Sequence, residues 1–131
     1  MNLEGIVAGT GQPVSLRIEG ERIDSVRTLG GPAAAGRDLP FLAPGFLDMQ
    51  VNGALNSDYH LENFSAGRAS EIVAHLDSSG TTQHVATIIT TPKERILGNL
   101  RTLLTAMAAD PNLKSAIPAI HVEGPFISRL D

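Results

Sequence analysis

The residues best suited to chemistry lie close to the end of the chain, where polar and apolar side chains alternate over residues 119–126. This segment reads Ala-Ile-His-Val-Glu-Gly-Pro-Phe, so His121 and Glu123 fall on one side of it. A period of two is typical of a β-strand, and the Gly-Pro pair ends the strand. Because a buried carboxylate is costly unless it is paired or bound to a metal, Glu123 indicates a site at the strand end. The alternative is an edge strand whose polar side chains point into water.

A second row of polar residues lies in 46–53, which reads Phe-Leu-Asp-Met-Gln-Val-Asn-Gly. Asp48, Gln50 and Asn52 alternate there with apolar residues, so we expect them on one face of a strand. Three polar side chains on one face are either exposed or gathered around a ligand. The Asn-Gly pair alone favours a β-hairpin. The composition of 54–64 is loop-like, however, and does not offer a matching partner strand.

The elements between these two stretches predict how they are placed. Apolar residues at helical spacing predict a helix over 66–79, and β-branched residues predict a strand over 82–90. Thr91 is expected to cap a second helix over 92–110, and the polar strand follows at 117–123. The order strand, helix, strand, helix, strand predicts a parallel sheet with right-handed crossovers. Polar residues then fall at the carboxyl ends of the first and third strands, where such folds build their sites.

His84 lies within the second of these strands. Nothing near it in the sequence has the spacing of a metal-ligand set. We therefore expect a hydrogen-bonded core histidine rather than a ligand, although a side chain facing the site is the alternative.

The first part of the chain has a different pattern. Alternation over 14–18 and a second short apolar segment at 23–26, separated by a glycine, predict a hairpin-like pair of strands within 1–44. Residues 30–36 are small and glycine-rich, which predicts a loop. Two strands and a loop are too little for a stable domain, so this part must pack on something else. A Pro-Gly pair marks the expected boundary with a second domain, 45–131.

Composition excludes several classes of function. The 131 residues carry a formal net charge of −4 and no basic patch, so we expect no nucleic-acid partner. There are no cysteines, which excludes disulfides and thiolate metal sites and leaves carboxylate, imidazole or water as metal ligands. No signal peptide and no apolar run of about 18 residues is present, so we expect no membrane partner and a cytoplasmic protein.

The motifs together resemble a known family. Residues 42–53 resemble the first barrel strand of the amidohydrolase superfamily, and within it the N-acetylglucosamine-6-phosphate deacetylase family. Residues 80–82 and 87–90 resemble the second strand of that family, and 121–128 (His-Val-Glu-Gly-Pro-Phe-Ile-Ser) its third-strand motif. The strands at 14–26 resemble the small β domain before the barrel. The resemblance implies an α/β fold: a partial (β/α)8 TIM barrel, with its first three strands and two helices, preceded by strands of a small β-sandwich domain.

The resemblance also implies a metal site. Many amidohydrolases carry His-x-His on the first strand, whereas Gln50 and Asn52 stand at those positions here, as in the branch that holds a single metal. By resemblance, Glu123 is the protein carboxylate on one divalent metal ion, zinc or similar. The two histidine ligands and the aspartate that acts as general base are expected beyond Asp131. The candidates for the substrate pocket are Gln50, Asn52, Gly53 and His121.

The activity implied is hydrolysis of the N-acetyl group of N-acetylglucosamine 6-phosphate, which yields glucosamine 6-phosphate and acetate. A complete barrel takes about 250 residues. We therefore expect an amino-terminal fragment, inactive alone, with the metal ion held and a homodimer formed only in the full-length enzyme. Residues 54–57 lack the glycines typical of the family, so one alternative is another amide hydrolase of the superfamily. The other is an inactive, open α/β module that binds a partner or itself.

Overall fold

The computed structural model describes residues 1–31 and 36–128. The chain forms two compact units, Met1–Pro44 and Gly45–Asp131. Most of the predicted loop at 30–36 lies outside the described residues, so that prediction has no structural counterpart here. Within the described ranges, no helix is both long enough and apolar enough to cross a membrane.

The first unit is a four-stranded sheet. Its strands are β1 (Asn2–Val7), β2 (Pro13–Glu19), β3 (Arg22–Thr28) and β4 (Phe41–Leu42), in the order β3-β2-β1-β4. The antiparallel pairing of β2 with β3 confirms the predicted hairpin. Strand β1 pairs antiparallel with β2 and parallel with β4, and these two strands were not predicted. Of the described apolar side chains in this unit, Val14 alone is buried. The predicted β-sandwich is not tested by this single sheet and stays a prediction.

The second unit contains the predicted order of strands and helices, with additions. Its elements are β5 (Phe46–Val51), β6 (Gly53–Ala54), β7 (Ser57–Asp58), α1 (Ala66–Ser78), β8 (Thr81–Ile88), α2 (Lys93–Ala109), α3 (Pro111–Ala116) and β9 (Ala119–Val122). Strands β5, β8 and β9 form one sheet in that order, and both pairings are parallel. The predicted parallel α/β sheet is therefore confirmed.

One face of this sheet carries the core of the second unit. Ala86 and Ile88 of β8 are fully buried against the helices, and Ile120 of β9 packs on the same cluster. Because side chains alternate along a strand, His121 and Glu123 point to the opposite face. The sheet thus has a helix-covered apolar face and a face with polar groups near the carboxyl end of β9.

Local signals explain most helix ends. Ser65 caps α1, with its hydroxyl accepting a hydrogen bond from the Arg68 amide at 3.4 Å, and Gly80 follows the helix with φ of +89°. Asp110 caps α3 by accepting from the Asn112 amide at 2.8 Å. Pro111 therefore begins a new helix, as proline at a first helical position can, whereas the sequence pattern predicted only a helix end there.

The predicted cap of α2 is wrong. Pro92 has φ −51° and ψ 138°, an extended conformation, so it takes the cap position and the helix begins at Lys93. Thr91 lies one residue too early to cap, and its hydroxyl is buried with no hydrogen-bond partner among the described residues. The predicted loop at 54–64 also contains the small hairpin β6–β7, closed by Leu55 and Asn56 with φ of 54° and 60°.

A substitution at Gly45 tests how closely the start of β5 packs against β8. A Cβ atom there would lie 2.0 Å from the Thr82 Oγ1 atom of β8, so Gly45→Ala should lower the free energy of unfolding by about 1–3 kcal/mol. Gly98→Ala is the matched control, since a Cβ atom inside α2 meets nothing within 4 Å. That substitution should stabilise by about 0.5–1 kcal/mol. Urea unfolding measures both, and equal shifts would contradict the packing argument.

Candidate active site

The two residues that best combine into a site lie at the carboxyl end of the first strand of the parallel sheet and just after the third. The Gln50 side-chain amide donates a hydrogen bond from Nε2 to Glu123 Oε1 at 2.9 Å. Strand β8 lies between the two, so the contact crosses a whole strand. It places an amide and a carboxylate together at the carboxyl ends of β5 and β9, the edge at which parallel α/β sheets bind ligands.

Both polar groups of the Glu123 backbone, its N–H and its carbonyl, make hydrogen bonds. Its N–H donates to the carbonyl of Ile88 at 2.9 Å, and its carbonyl accepts from the Thr90 hydroxyl at 3.3 Å. Gly124 follows with φ of +85°, and a Cβ atom there would lie 2.7 Å from Thr90 Oγ1. Only glycine fits both the positive φ and this close approach. The carboxylate therefore stands on a fixed piece of backbone just beyond the end of β9.

The other sequence-predicted pocket residues are less closely joined. His121 pairs with Thr87 in the sheet and is exposed. Asn52 is exposed too, and its backbone carbonyl accepts from the Tyr59 amide at 2.9 Å. A Cβ atom at Gly53 would lie 2.2 Å from Asp58 Oδ1, so glycine is required there by packing within the β6–β7 hairpin. Their roles in a substrate pocket stay predictions.

The fit to a metal ion is partial. No three His, Asp or Glu side chains within residues 1–31 and 36–128 are close enough together to hold one. Glu123 by itself is suited to be one ligand: it is half-buried and one of its two oxygens has no hydrogen-bond partner among the described residues. Catalytic zinc usually takes about three protein ligands. The described residues thus offer one oriented carboxylate and do not complete a metal shell.

Strand β5 contains an irregularity that the sequence did not reveal. Asp48 pairs with His84 and Val51 with Ala86, so β5 advances three residues while β8 advances two. The Gln50 N–H donates to Asp48 Oδ1 at 3.0 Å across this shift. An extra residue in one strand interrupts the alternation of faces. The predicted single row of Asp48, Gln50 and Asn52 is therefore broken, and Asp48 lies beside His84 instead.

A buried polar cluster supports the site from the helix-covered side. The Tyr59 hydroxyl lies 2.7 Å from His84 Nε2, and the two side chains are 0% and 1% exposed. Asn99 of α2 donates from Nδ2 to the carbonyls of Tyr59 and Leu61, both at 2.9 Å. The prediction that His84 is a hydrogen-bonded core histidine is confirmed. Tyr59 was missed, although it is the one tyrosine of the chain.

Burial sets the charge of this cluster. It lowers the pKa of the His84 imidazole, and the negative charge of Asp48 opposes that shift. Burial also raises the pKa of the Tyr59 hydroxyl. At neutral pH the 2.7 Å contact therefore joins two neutral groups, and which of them donates depends on the imidazole tautomer.

Comparisons with known proteins agree with the family resemblance found in the sequence. No family model matches the chain. It is 32% identical to the rat N-acetylglucosamine-6-phosphate deacetylase over 119 residues, which is 89% of this chain and 27% of the rat protein. The Mycobacterium smegmatis enzyme, solved as a mutant in complex with N-acetyl-D-glucosamine-6-phosphate, matches with a TM-score of 0.74 and 28% identity over 99% of this chain and 34% of that one. The Thermotoga maritima enzyme, at 24% identity and a TM-score of 0.78 over 99% of this chain and 34% of its own, shows the fold alone.

These relatives define the class to which the chain is similar, that of the deacetylases, and the rat protein matches it over 89% of its length. In particular, the chain is related to the N-acetylglucosamine-6-phosphate deacetylases, and the predicted resemblance is confirmed. It spans only 27% of the length of the curated relatives that it matches.

The lowered pKa of His84 predicts a pH-dependent stability. The folded state resists protonation of this ring, while the unfolded ring titrates near its ordinary pKa of about 6.5. Stability is then fully present above about pH 6.5 and is lost as the pH falls toward the lower folded pKa, with a slope of at most about 1.4 kcal/mol per pH unit. Urea unfolding between pH 7.5 and 5 measures this. His84→Gln should flatten the slope, and a slope unchanged by it would contradict the assignment.

His75→Gln is the matched control for that titration. His75 is exposed on α1, so its replacement should leave the pH dependence in place.

The contact between Gln50 and Glu123 predicts a measurable coupling. In a double-mutant cycle of Gln50→Ala and Glu123→Ala, the double variant should lose about 0.5–1 kcal/mol less unfolding free energy than the two single variants lose in sum. This coupling is smaller than the roughly 1.5–3 kcal/mol of a hydrogen bond to a charged group, because Gln50 is exposed to water. Unfolding free energies of the four proteins give the coupling, and additive effects would mean that the contact does not form in solution.

Proposed function

We propose that this chain forms the first part of a metal-dependent hydrolase that removes the N-acetyl group from N-acetylglucosamine 6-phosphate. The products are glucosamine 6-phosphate and acetate. The observation that carries the proposal is the position of Glu123: it stands at the carboxyl end of a parallel strand, held by Gln50, in a chain related to these deacetylases over 89% of its length. Such a position fits the metal-binding carboxylate that the sequence motif implies.

The fold proposed for the second unit is the beginning of a (β/α)8 barrel, with β5, β8 and β9 as its first three strands. The sheet edges support this. Strand β5 lies at one edge with Phe46 68% and Met49 69% exposed. An edge strand with large exposed apolar side chains is a surface on which further chain packs. The first unit would be the corresponding part of a small β-sandwich.

The roles of the residues follow from their chemistry. A bound divalent cation, zinc or similar, polarises the amide carbonyl and lowers the pKa of a water molecule. Glu123 would hold that ion through its carboxylate. Candidates to border the sugar phosphate are Gln50, Asn52, Gly53 and His121. Two histidine ligands, the aspartate base and a homodimer partner are expected from a longer protein.

The hairpin β6–β7 bears on which amide is cleaved. Its residues 54–57 differ from the glycine-rich family loop and fold into a tight turn through Leu55 and Asn56. A surface of this kind beside the strand end supports, as second candidate, a related amide hydrolase with another acylated substrate. A panel of N-acylated and cyclic amides separates the two.

We expect a longer protein that contains this chain to release acetate from N-acetylglucosamine 6-phosphate with a divalent metal, and the 131 residues alone to release none. Glu123→Gln in the longer protein should lower kcat/KM at least about a hundredfold, because loss of a ligand exceeds the 10–100-fold effect of losing an outer-shell partner. Glu94→Gln, on the exposed first turn of α2, is the matched control and should leave kcat/KM unchanged.

Two results would contradict the proposal. One is a folded longer protein that hydrolyses no amide in the panel with any divalent metal, which would favour a non-catalytic module. The other is turnover by the isolated 131-residue chain, which would place the whole catalytic machinery within it.

A further inference from the structure

The Tyr59 hydroxyl has one hydrogen-bond partner among the described residues, the ring of His84. Its oxygen lies 2.7 Å from Nε2, and the two residues are 0% and 1% exposed. A neutral imidazole carries one proton, and its other nitrogen is an acceptor. With the proton on Nε2, the hydroxyl would accept, and its own proton would be buried without an acceptor, which is costly. The contact therefore favours the tautomer with the proton on Nδ1, in which the hydroxyl donates to Nε2.

This tautomer determines where a second proton binds. Nε2 is the only ring nitrogen of His84 that is left to take it, and an imidazolium has no acceptor because both of its nitrogens donate. Protonation therefore removes the lone pair to which the Tyr59 hydroxyl donates. The new N–H can donate to the hydroxyl oxygen instead, but the hydroxyl proton then has no acceptor among the described residues.

The backbone of Tyr59 carries the effect to the carboxyl end of β5. Its N–H donates to the Asn52 carbonyl at 2.9 Å, and its carbonyl accepts from Asn99 Nδ2 at 2.9 Å. Asn52 directly follows Val51, the last residue of β5. A displacement of the Tyr59 ring thus acts on the strand end at which Gln50 and Asn52 lie.

Burial and charge set the pH at which the ring is protonated. Burial lowers the pKa of the His84 imidazole, and the negative charge of Asp48, its neighbour on β5, opposes that shift. The ring therefore binds its second proton below its ordinary pKa of about 6.5. Of the charged side chains in the described part of the chain, Asp48 is the one that acts on the ring.

The other titratable groups near this cluster face elsewhere. Asp58 and His60 flank Tyr59 in the chain, and Asp58 Oδ2 lies 4.0 Å from His60 Nε2. On β9, His121 points to the opposite face of the sheet. Helices α1 and α3 pack on β8. Their titratable side chains are exposed or bonded to the β6–β7 hairpin, and they are Arg68, Glu71, His75, Asp77 and Lys114.

We propose that Tyr59 and His84 form a pH-sensitive latch on the carboxyl end of β5: the hydroxyl binds the neutral ring, and a proton on Nε2 releases it. The latch is closed at neutral pH and opens in mild acid. When it opens, the segment 52–59 is freed to move, and with it the strand end that carries Gln50 and Asn52. This inference concerns the fold of the chain and does not rest on the proposed function.

NMR of the isotope-labelled 131-residue chain tests the latch. Long-range proton–nitrogen spectra report which imidazole nitrogen carries the proton, and we expect the Nδ1–H form of His84 at pH 7.5. Between pH 7.5 and 5, hydrogen exchange of the Tyr59 amide, corrected for the intrinsic pH dependence of exchange, should quicken about tenfold as the ring titrates, as expected for the loss of one hydrogen bond. The Glu123 amide, which donates to the Ile88 carbonyl at 2.9 Å, should keep its protection.

Two variants test the two partners. In His84→Gln the side chain cannot take up a proton in this range, so the step in Tyr59 amide exchange should vanish. In Tyr59→Phe the amide should exchange at the faster rate at every pH. The pKa of His84 should rise in that variant, because its neutral form has lost a hydrogen bond. His75→Gln, on the exposed face of α1, is the matched control and should keep the step.

Several results would overturn the latch. An Nε2–H tautomer at neutral pH would remove the acceptor on which it depends. Unchanged exchange of the Tyr59 amide while the ring titrates would show that the hydroxyl does not hold the strand end. Equal loss of protection at Tyr59 and Glu123 would show unfolding of the whole unit instead.

The parent chain decides the matter even where a core variant does not fold, because its tautomer and its exchange are measured without a substitution. None of these measurements uses acetate release, so failure of the latch leaves the proposed function as it stands.

Discussion

A hydroxyl and an imidazole meet in the interior of the second unit, and much of its arrangement depends on that contact. Tyr59 is fully buried, so its hydroxyl needs a partner, and His84 provides one at 2.7 Å. A buried polar group left unsatisfied costs about 1–3 kcal/mol. The two residues lie 25 positions apart, so satisfying one hydroxyl ties the segment after β5 to the middle of β8.

The same tyrosine connects two further parts of the unit. Its N–H donates to the carbonyl of Asn52, and its own carbonyl accepts from Asn99 of α2. The carboxyl end of β5 is therefore anchored by the chain that follows it, and α2 is anchored to the same segment. Gln50 lies just before this anchor, which explains how an exposed side chain on an edge strand can hold Glu123 two strands away.

One face of the parallel sheet contributes to the hydrophobic core, and the other carries the polar residues of the candidate site. Apolar side chains of β8 and β9 pack on the helices, and the opposite face carries His121 and Glu123. Parallel strands bring their carboxyl ends to one edge, so a carboxylate there is available to a ligand without interrupting the core. The curated relatives are deacetylases more than three times as long as the matched region.

Local pattern alone determined a large part of this protein. The periodicity of apolar residues predicted α1, α2, the parallel order of β5, β8 and β9, and the hairpin of β2 with β3, because each depends on spacing along a few residues. The motif around Glu123 likewise indicated where chemistry belongs.

Tertiary structure decided the rest. The partner of Tyr59, the shift in register between Asp48 and Val51, and the hydrogen bond from Gln50 to Glu123 each join residues on different elements. Short-range signals failed where neighbours competed: Pro92 took the cap position from Thr91, and Asp110 turned an expected helix end into the start of α3. Periodicity states which side of an element is apolar, but only packing in three dimensions determines which polar groups meet there.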